Sequence, residues 1–136
     1  MSKVEEKIGT IPDSEEKRTI KGLLYLLDLN AYGLDFKVSA GHVNEIQILG
    51  ANLTKIPLNL KQLGFIHTLF LGTNIISHLT GLDKLPALKK LDLSNNRLKE
   101  ITEIQSQKNI VWLNLGGNDL KDISPLEELK KLEHLD

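Results

Sequence analysis

The sequence predicts an α/β repeat solenoid, with a curved parallel β-sheet on the concave side and short helical turns on the convex side. An N-terminal helix and hairpin are expected to cap one end. Three observations carry this. The string LKKLDLSNNRLKEI, residues 88–101, places apolar side chains at Leu88, Leu91, Leu93, Leu98 and Ile101. That spacing fits neither the 3.6-residue period of a helix nor the two-residue period of a strand throughout. The same pattern returns from starts at residues 43, 66, 88, 110 and 132. At one position of three copies stands an asparagine, Asn74, Asn96 or Asn118, whose amide is costly to bury unless it is hydrogen-bonded.

The matching copies fix the register. Ile110, Leu113, Leu115, Asn118, Leu120 and Ile123 repeat the offsets of Ile66, Leu69, Leu71, Asn74, Ile76 and Leu79. Residues 43–56, VNEIQILGANLTKI, match at every apolar position but carry Ala51 in place of the asparagine. The copy that starts at Leu132 is truncated, so residues 43–136 hold four full repeats and part of a fifth. This pattern resembles the leucine-rich repeat, L-x-x-L-x-L-x-x-N-x-L. Its short 22-residue form is similar to the repeats of bacterial internalins and of the leucine-rich regulatory subunit of protein phosphatase-1. Because that class is shared by many different partners, the resemblance names a fold far better than a function.

Each spacing has a physical reading. Within a repeat, alternation sends Leu91 and Leu93 inward and leaves Lys90, Asp92 and Ser94 on the open face. The chain then turns a corner where backbone N–H and C=O groups lack a strand partner. Asn96 can satisfy them, and stacked copies place Asn74, Asn96 and Asn118 in one structural ladder. Asn95, one residue earlier, is expected to point outward. Thr80, Thr102 and Ser124 precede Asp83, Gln105 and Glu127 by three residues, the spacing of a capping box at a helix start. Leu82, Leu85, Ile104, Leu126 and Leu129 are then the inward residues of the return turns. Gln107 stands in the slot of Leu85 and Leu129, which predicts looser packing there.

Residues 1–42 do not repeat. Residues 1–12 read as a flexible N-terminus, and residues 13–42 as a cap made of a helix and a hairpin. Asp13 and Glu16 form a further capping box, and Ile20, Leu23, Leu24 and Leu27 make the apolar stripe of a helix over 14–29. FKVSAGHVNEI reads as a hairpin that turns at Ser39-Ala40-Gly41. A solenoid needs such a cover over its first apolar layer.

Composition excludes several classes of function. Seventeen basic and 18 acidic residues give a net charge of −1, so nothing points to nucleic acid or an anionic membrane. The absence of cysteine removes thiol nucleophiles and thiolate metal sites. No apolar run is long enough to insert in a membrane, and no leader-like h-region opens the chain, so a cytoplasmic location is expected. The four histidines, His42, His67, His78 and His134, have no metal-ligand spacing, and no nucleophile stands with a base. No catalytic residue, metal or cofactor is expected.

The open strand face is the candidate site. Its first column reads Glu45, Thr68, Lys90, Trp112 and His134, and its second Gln47, Phe70, Asp92, Asn114 and Asp136. Trp112 and Phe70 belong to a set of six aromatic residues and are expected to face solvent, where aromatic side chains are common binding hot spots. Lys90 is within reach of the Trp112 ring, and Gly72 and Gly116 in a third column leave room for a partner. The partner-binding set is therefore Trp112, Phe70, Lys90, Asp92, Asn114, Gln47 and Glu45, and the partner a protein or peptide. The alternative is a recognition or regulatory fragment of a longer protein whose effector domain is absent. The final strand edge, with no capping segment after Asp136, also predicts a two-fold homodimer through that end.

Overall fold

A computed structural model describes residues 3–26 and 33–136. Two helices open the chain, α1 (Lys3–Ile8) and α2 (Ser14–Leu26), followed by strands β1 (Leu34–Ser39) and β2 (His42–Ile48). Four short strands follow: β3 (Thr68–Phe70), β4 (Lys90–Asp92), β5 (Trp112–Asn114) and β6 (His134–Leu135). All six form one sheet in chain order. β1 pairs antiparallel with β2, and every later pair is parallel.

The repeat residues become a stack because each turn contributes the same inward set. Ile46, Leu69, Leu91 and Leu113 line up across the sheet and are fully buried. The corner and return residues Leu71, Ile76, Leu79, Leu93, Leu98 and Ile101 are buried beneath them. Burying each such side chain contributes roughly 1.5–3 kcal/mol, and none of these layers closes without its neighbour. At the far end the equivalents Ile123 and Leu135 remain 57% and 45% exposed.

The return segments are single 3-10 turns at Leu58–Gln62, Leu82–Lys84, Thr102–Ser106 and Ser124–Glu128. The expected capping boxes at Thr80, Thr102 and Ser124 do not form. The residues that precede the last three turns are Gly81, Ile101 and Ile123, and none of them caps its turn with a side chain; at the last turn Ser124 N instead donates to Asp122 Oδ1 (2.9 Å). One turn of 3-10 helix is tighter than α and closes its i→i+3 bonds at once, so the α-type offset between hydroxyl and N–H is lost. Leu82, Leu85, Ile104 and Leu129 are buried as the spacing predicts, and Leu126 is half-buried. Gln107 does not loosen its turn. It is buried, and its Nε2 donates to Leu82 O (2.6 Å).

The N-terminal unit is more ordered than its sequence suggests. Lys3–Ile8, inside the stretch expected to be flexible, is helical and buries Val4 and Ile8, with Ile11 beyond it. Helix α2 buries Ile20 and Leu23; Leu27 and the rest of the expected 14–29 helix lie outside the described residues. Half of the Asp13–Glu16 box forms, with Glu16 N donating to Asp13 Oδ1 (2.8 Å). The other half is redirected. The buried Glu16 carboxylate accepts from Val43 N (2.8 Å) and lies 3.1 Å from His42 Nδ1, tying α2 to the hairpin. Ala40 and Gly41, both at positive φ (51° and 82°), make the two-residue turn between β1 and β2.

Candidate functional site

The corners that hold the strand face are set by the asparagines. Asn96 Oδ1 accepts from Ile76 N (2.9 Å), while its Nδ2 donates to Leu71 O and Leu93 O (both 3.0 Å). Asn74 accepts from Ala51 N and donates to Ile48 O and Leu71 O (2.9, 2.8 and 2.9 Å). Asn118 accepts from Leu98 N and donates to Leu93 O and Leu115 O (3.0, 2.9 and 2.9 Å), but is only half-buried. Leu71 O and Leu93 O each receive two amides, so adjacent repeats are joined at the same carbonyl. The residue before each ladder position, Gly50, Thr73, Asn95 or Gly117, lies at positive φ (61°, 56°, 52° and 68°). Asn95 points outward as expected, yet it holds a left-handed backbone that disfavours most side chains.

These corners present strand columns in the register read from the repeats. Glu45, Thr68, Lys90, Trp112 and His134 are successive neighbours, as are Gln47, Phe70, Asp92 and Asn114. The side chains arrange themselves differently from the simplest expectation. Lys90 is exposed and makes no cation–π contact with Trp112; the one such pair among the described residues is Lys7 over Phe36, 5.3 Å from the ring centroid. Instead the indole stacks parallel to His134, with centroids 5.5 Å apart and planes at 1°. Phe70 meets it from the other direction, 6.3 Å away and near-perpendicular at 81°. A neighbouring ring keeps its contact without the entropy cost of fixing a lysine chain. The three rings thus form one strip across β3 to β6, with Phe70 and Trp112 half-buried.

One other expectation needs correction. The room beside Gly72 is already occupied, since a Cβ there would stand 3.1 Å from Ser94 Oγ and 3.5 Å from Asp92 Oδ1. A Cβ on Gly116 would meet Asn114 Oδ1 at 3.3 Å. Those side chains are held in place because Asp92 Oδ1 accepts from Ser94 N (2.8 Å) and Asn114 Oδ1 from Gly116 N (2.9 Å). Glu45 is not free either: Lys37 on β1 reaches its Oε1 at 2.9 Å. The hairpin strand therefore adds Lys37 and Asp35 to the face, which reading the repeats alone missed.

Electrostatics elsewhere on the face are local. Burial acts to raise the Asp35 carboxyl, but hydrogen bonds from Lys7 and Phe36 N and the charges of Lys7 and Lys3 outweigh it and hold it below its ordinary range. His134 Nε2 lies 2.8 Å from Asp136 Oδ2. Among the described residues no group of three metal-ligating side chains converges, and no helix is long and apolar enough to cross a membrane. A separate cleft of about 530 Å³ lies between α2 and residues 51–59, lined by Leu23, Leu26, Leu53, Pro57 and Leu58. It is remote in sequence from the aromatic strip.

A parallel sheet of short strands, one per turn of about 22 residues, with an asparagine at three successive corners, defines a repeat solenoid. The chain is a leucine-rich repeat protein. Among solved structures it is similar to internalin F from Listeria monocytogenes, at 32% identity and a TM-score of 0.58, over 64% of this chain and 26% of that one. It is also similar to a leucine-rich repeat protein of Leptospira interrogans, at 32% identity and a TM-score of 0.61, over 68% of this chain and 24% of that one. A chain of the BIR3–SERK2 complex from Arabidopsis thaliana matches at 26% identity and a TM-score of 0.59, over 77% of this chain and 61% of that one. The chain thus spans about a quarter of the two bacterial proteins. No family model matches it, and a search of curated proteins finds no match.

Proposed function

We propose that the protein is a non-catalytic, cytoplasmic interaction module that holds a protein or peptide on its strand face. Trp112 and Phe70 act as apolar anchors, and Lys90, Asp92, Asn114 and Gln47 supply polar contacts around them. Glu45 contributes through its pair with Lys37 and orders the edge of the face. The observation that carries this reading is the continuous ring strip of Phe70, Trp112 and His134 on an otherwise polar surface. Half-buried aromatic residues held by neighbours lose little entropy on binding and are frequent hot spots. A protein complex of similar fold, BIR3–SERK2, supports a protein as the partner class.

The small share of the bacterial proteins that this chain spans favours a second reading, a recognition segment that acts within a larger molecule. Both readings place the partner on the same face. Trp112→Ala and Asp92→Lys should each lose a captured partner while keeping the circular dichroism spectrum of the parent protein. Lys99→Ala, on the exposed return side, should keep it. Partners retained by both strand-face variants, and lost on changing Tyr25 or Leu26 in α2, would move the site to the N-terminal unit.

A further inference from the structure

We propose that the occupant of this face is a proline-rich segment in the extended polyproline conformation, carrying a basic residue beside its prolines. The inference rests on the strand-face reading and names the partner's chemistry. It begins with the backbone. β3, β4 and β5 each lie between two sheet neighbours, so their N–H and C=O groups are committed to the sheet and offer no edge for an added strand. Over these three strands recognition runs through side chains. A polyproline segment suits this, because it has no internal hydrogen bonds to replace and is already extended when free.

The surface has a matching lining. Phe70 stands near-perpendicular to Trp112, and His134 lies parallel to it, so three aromatic rings line the strip side by side. Proline-rich segments are recognised by aromatic-lined surfaces, where their preformed, low-entropy helix favours binding. Its polar rim also matches. The Trp112 indole N–H and the Lys90 ammonium are donors that make no hydrogen bond among the described residues, whereas polyproline offers carbonyl acceptors and no N–H.

Charge then selects the flanking residue. Lys7 occupies Asp35 and Lys37 occupies Glu45, but Asp92 has no ionic partner among the described residues. It sits opposite Phe70 in the sheet, with one oxygen taken by Ser94 N. A cationic side chain at the end of the proline run complements that carboxylate, and its stem covers the Phe70 ring.

The test uses the full chain and two blocked oligoprolines, one ending in arginine and one in glutamate. A helical alanine-rich peptide of equal length serves as comparison. Trp112 is the only tryptophan, so its emission reports on the site directly. The arginine peptide should give a saturable shift with a Kd of roughly 0.1–1 mM, at the weak end of the affinity scale. It should bind roughly two- to fivefold more tightly than the glutamate peptide, the range of an exposed ion pair. Phe70→Ala should weaken binding about tenfold. Asp92→Asn, which keeps the oxygen bonded to Ser94 N and leaves folding undisturbed, should bring the two oligoprolines to equal affinity.

No saturable response to either oligoproline overturns the proposal, as does discrimination that survives Asp92→Asn. A response to the helical peptide alone overturns polyproline and leaves the strand face as the binding surface. Retention of a captured protein partner by Trp112→Ala instead brings down the functional reading itself.

Discussion

Asn96→Ala tests the corner ladder most directly, and the structure sets its magnitude. The substitution removes the acceptor of Ile76 N and one of two donors from each of Leu71 O and Leu93 O. Those carbonyls keep the amides of Asn74 and Asn118. Only the buried Ile76 N–H is left wholly unpaired, at roughly 1–3 kcal/mol, and each weakened carbonyl adds about 0.5 kcal/mol. The total is about 2–4 kcal/mol. Asn118→Ala removes the equivalent contacts, to Leu98 N, Leu93 O and Leu115 O, at a half-buried site where water can take their place, and should cost about 1 kcal/mol. Asn96→Asp is the sharpest variant. It keeps the acceptor for Ile76 N but turns carboxylate oxygens toward two carbonyls in a buried site, so it should destabilise more than alanine. Urea unfolding followed by Trp112 emission reads all three as shifts in midpoint at constant slope. Lys99→Ala is the proper reference, because Asn95 holds a left-handed backbone whose loss of asparagine costs about 1 kcal/mol in its own right. Equal midpoints for the Asn96→Ala and Asn118→Ala variants, or an Asn96→Asp variant as stable as the parent, would refute the ladder's role.

Thr73 is the one β-branched residue in the left-handed column, so Thr73→Asn should raise stability by about 1 kcal/mol; a lower melting temperature would show that its side chain makes a compensating contact. Glu16→Ala should orphan Val43 N and cost about 2 kcal/mol, and amide exchange at Val43 should accelerate while that at Leu91 holds. The Asp35 carboxyl, held low in the folded chain, stabilises above its unfolded value near 3.8 and loses that contribution as pH falls through its folded value. Asp35→Asn should therefore flatten part of the acid limb of the stability curve, at a cost of at most about 1 kcal/mol at neutral pH. An unchanged acid limb would leave the Lys7 contact without energetic weight.

Strand register was legible because a fixed repeat length leaves one way to stack Leu69, Leu91 and Leu113, and the flanking columns follow from alternation. Which side chains touch within a column was not. Neighbouring strands put Lys90, Phe70 and His134 all within reach of Trp112, and rotamer choice decides among them. The capping signal misled because Thr102 and Gln105 have the letters of a box while their single tight turn has a different offset. Asp13 and Glu16 misled for another reason: His42 and Val43, distant in sequence, claimed the carboxylate. Helix α1 carries only two buried residues over its short length, too few to show a period. The left-handed column was half visible in Gly50, Asn95 and Gly117, and Thr73 hid it.

The antiparallel hairpin has a consequence for synthesis. Once residue 48 has left the ribosome, β1 and β2 can pair, with Glu16 already able to anchor α2 to them. From then on each turn of about 22 residues finds a finished surface waiting, and its partners lie one turn behind it rather than at the far end of the chain. Order of emergence and order of docking coincide, so the nascent protein can be laid down like courses of brick. Slowing translation near residue 48 should cost it nothing, whereas moving the hairpin to the C-terminus by circular permutation would leave every turn waiting for its foundation.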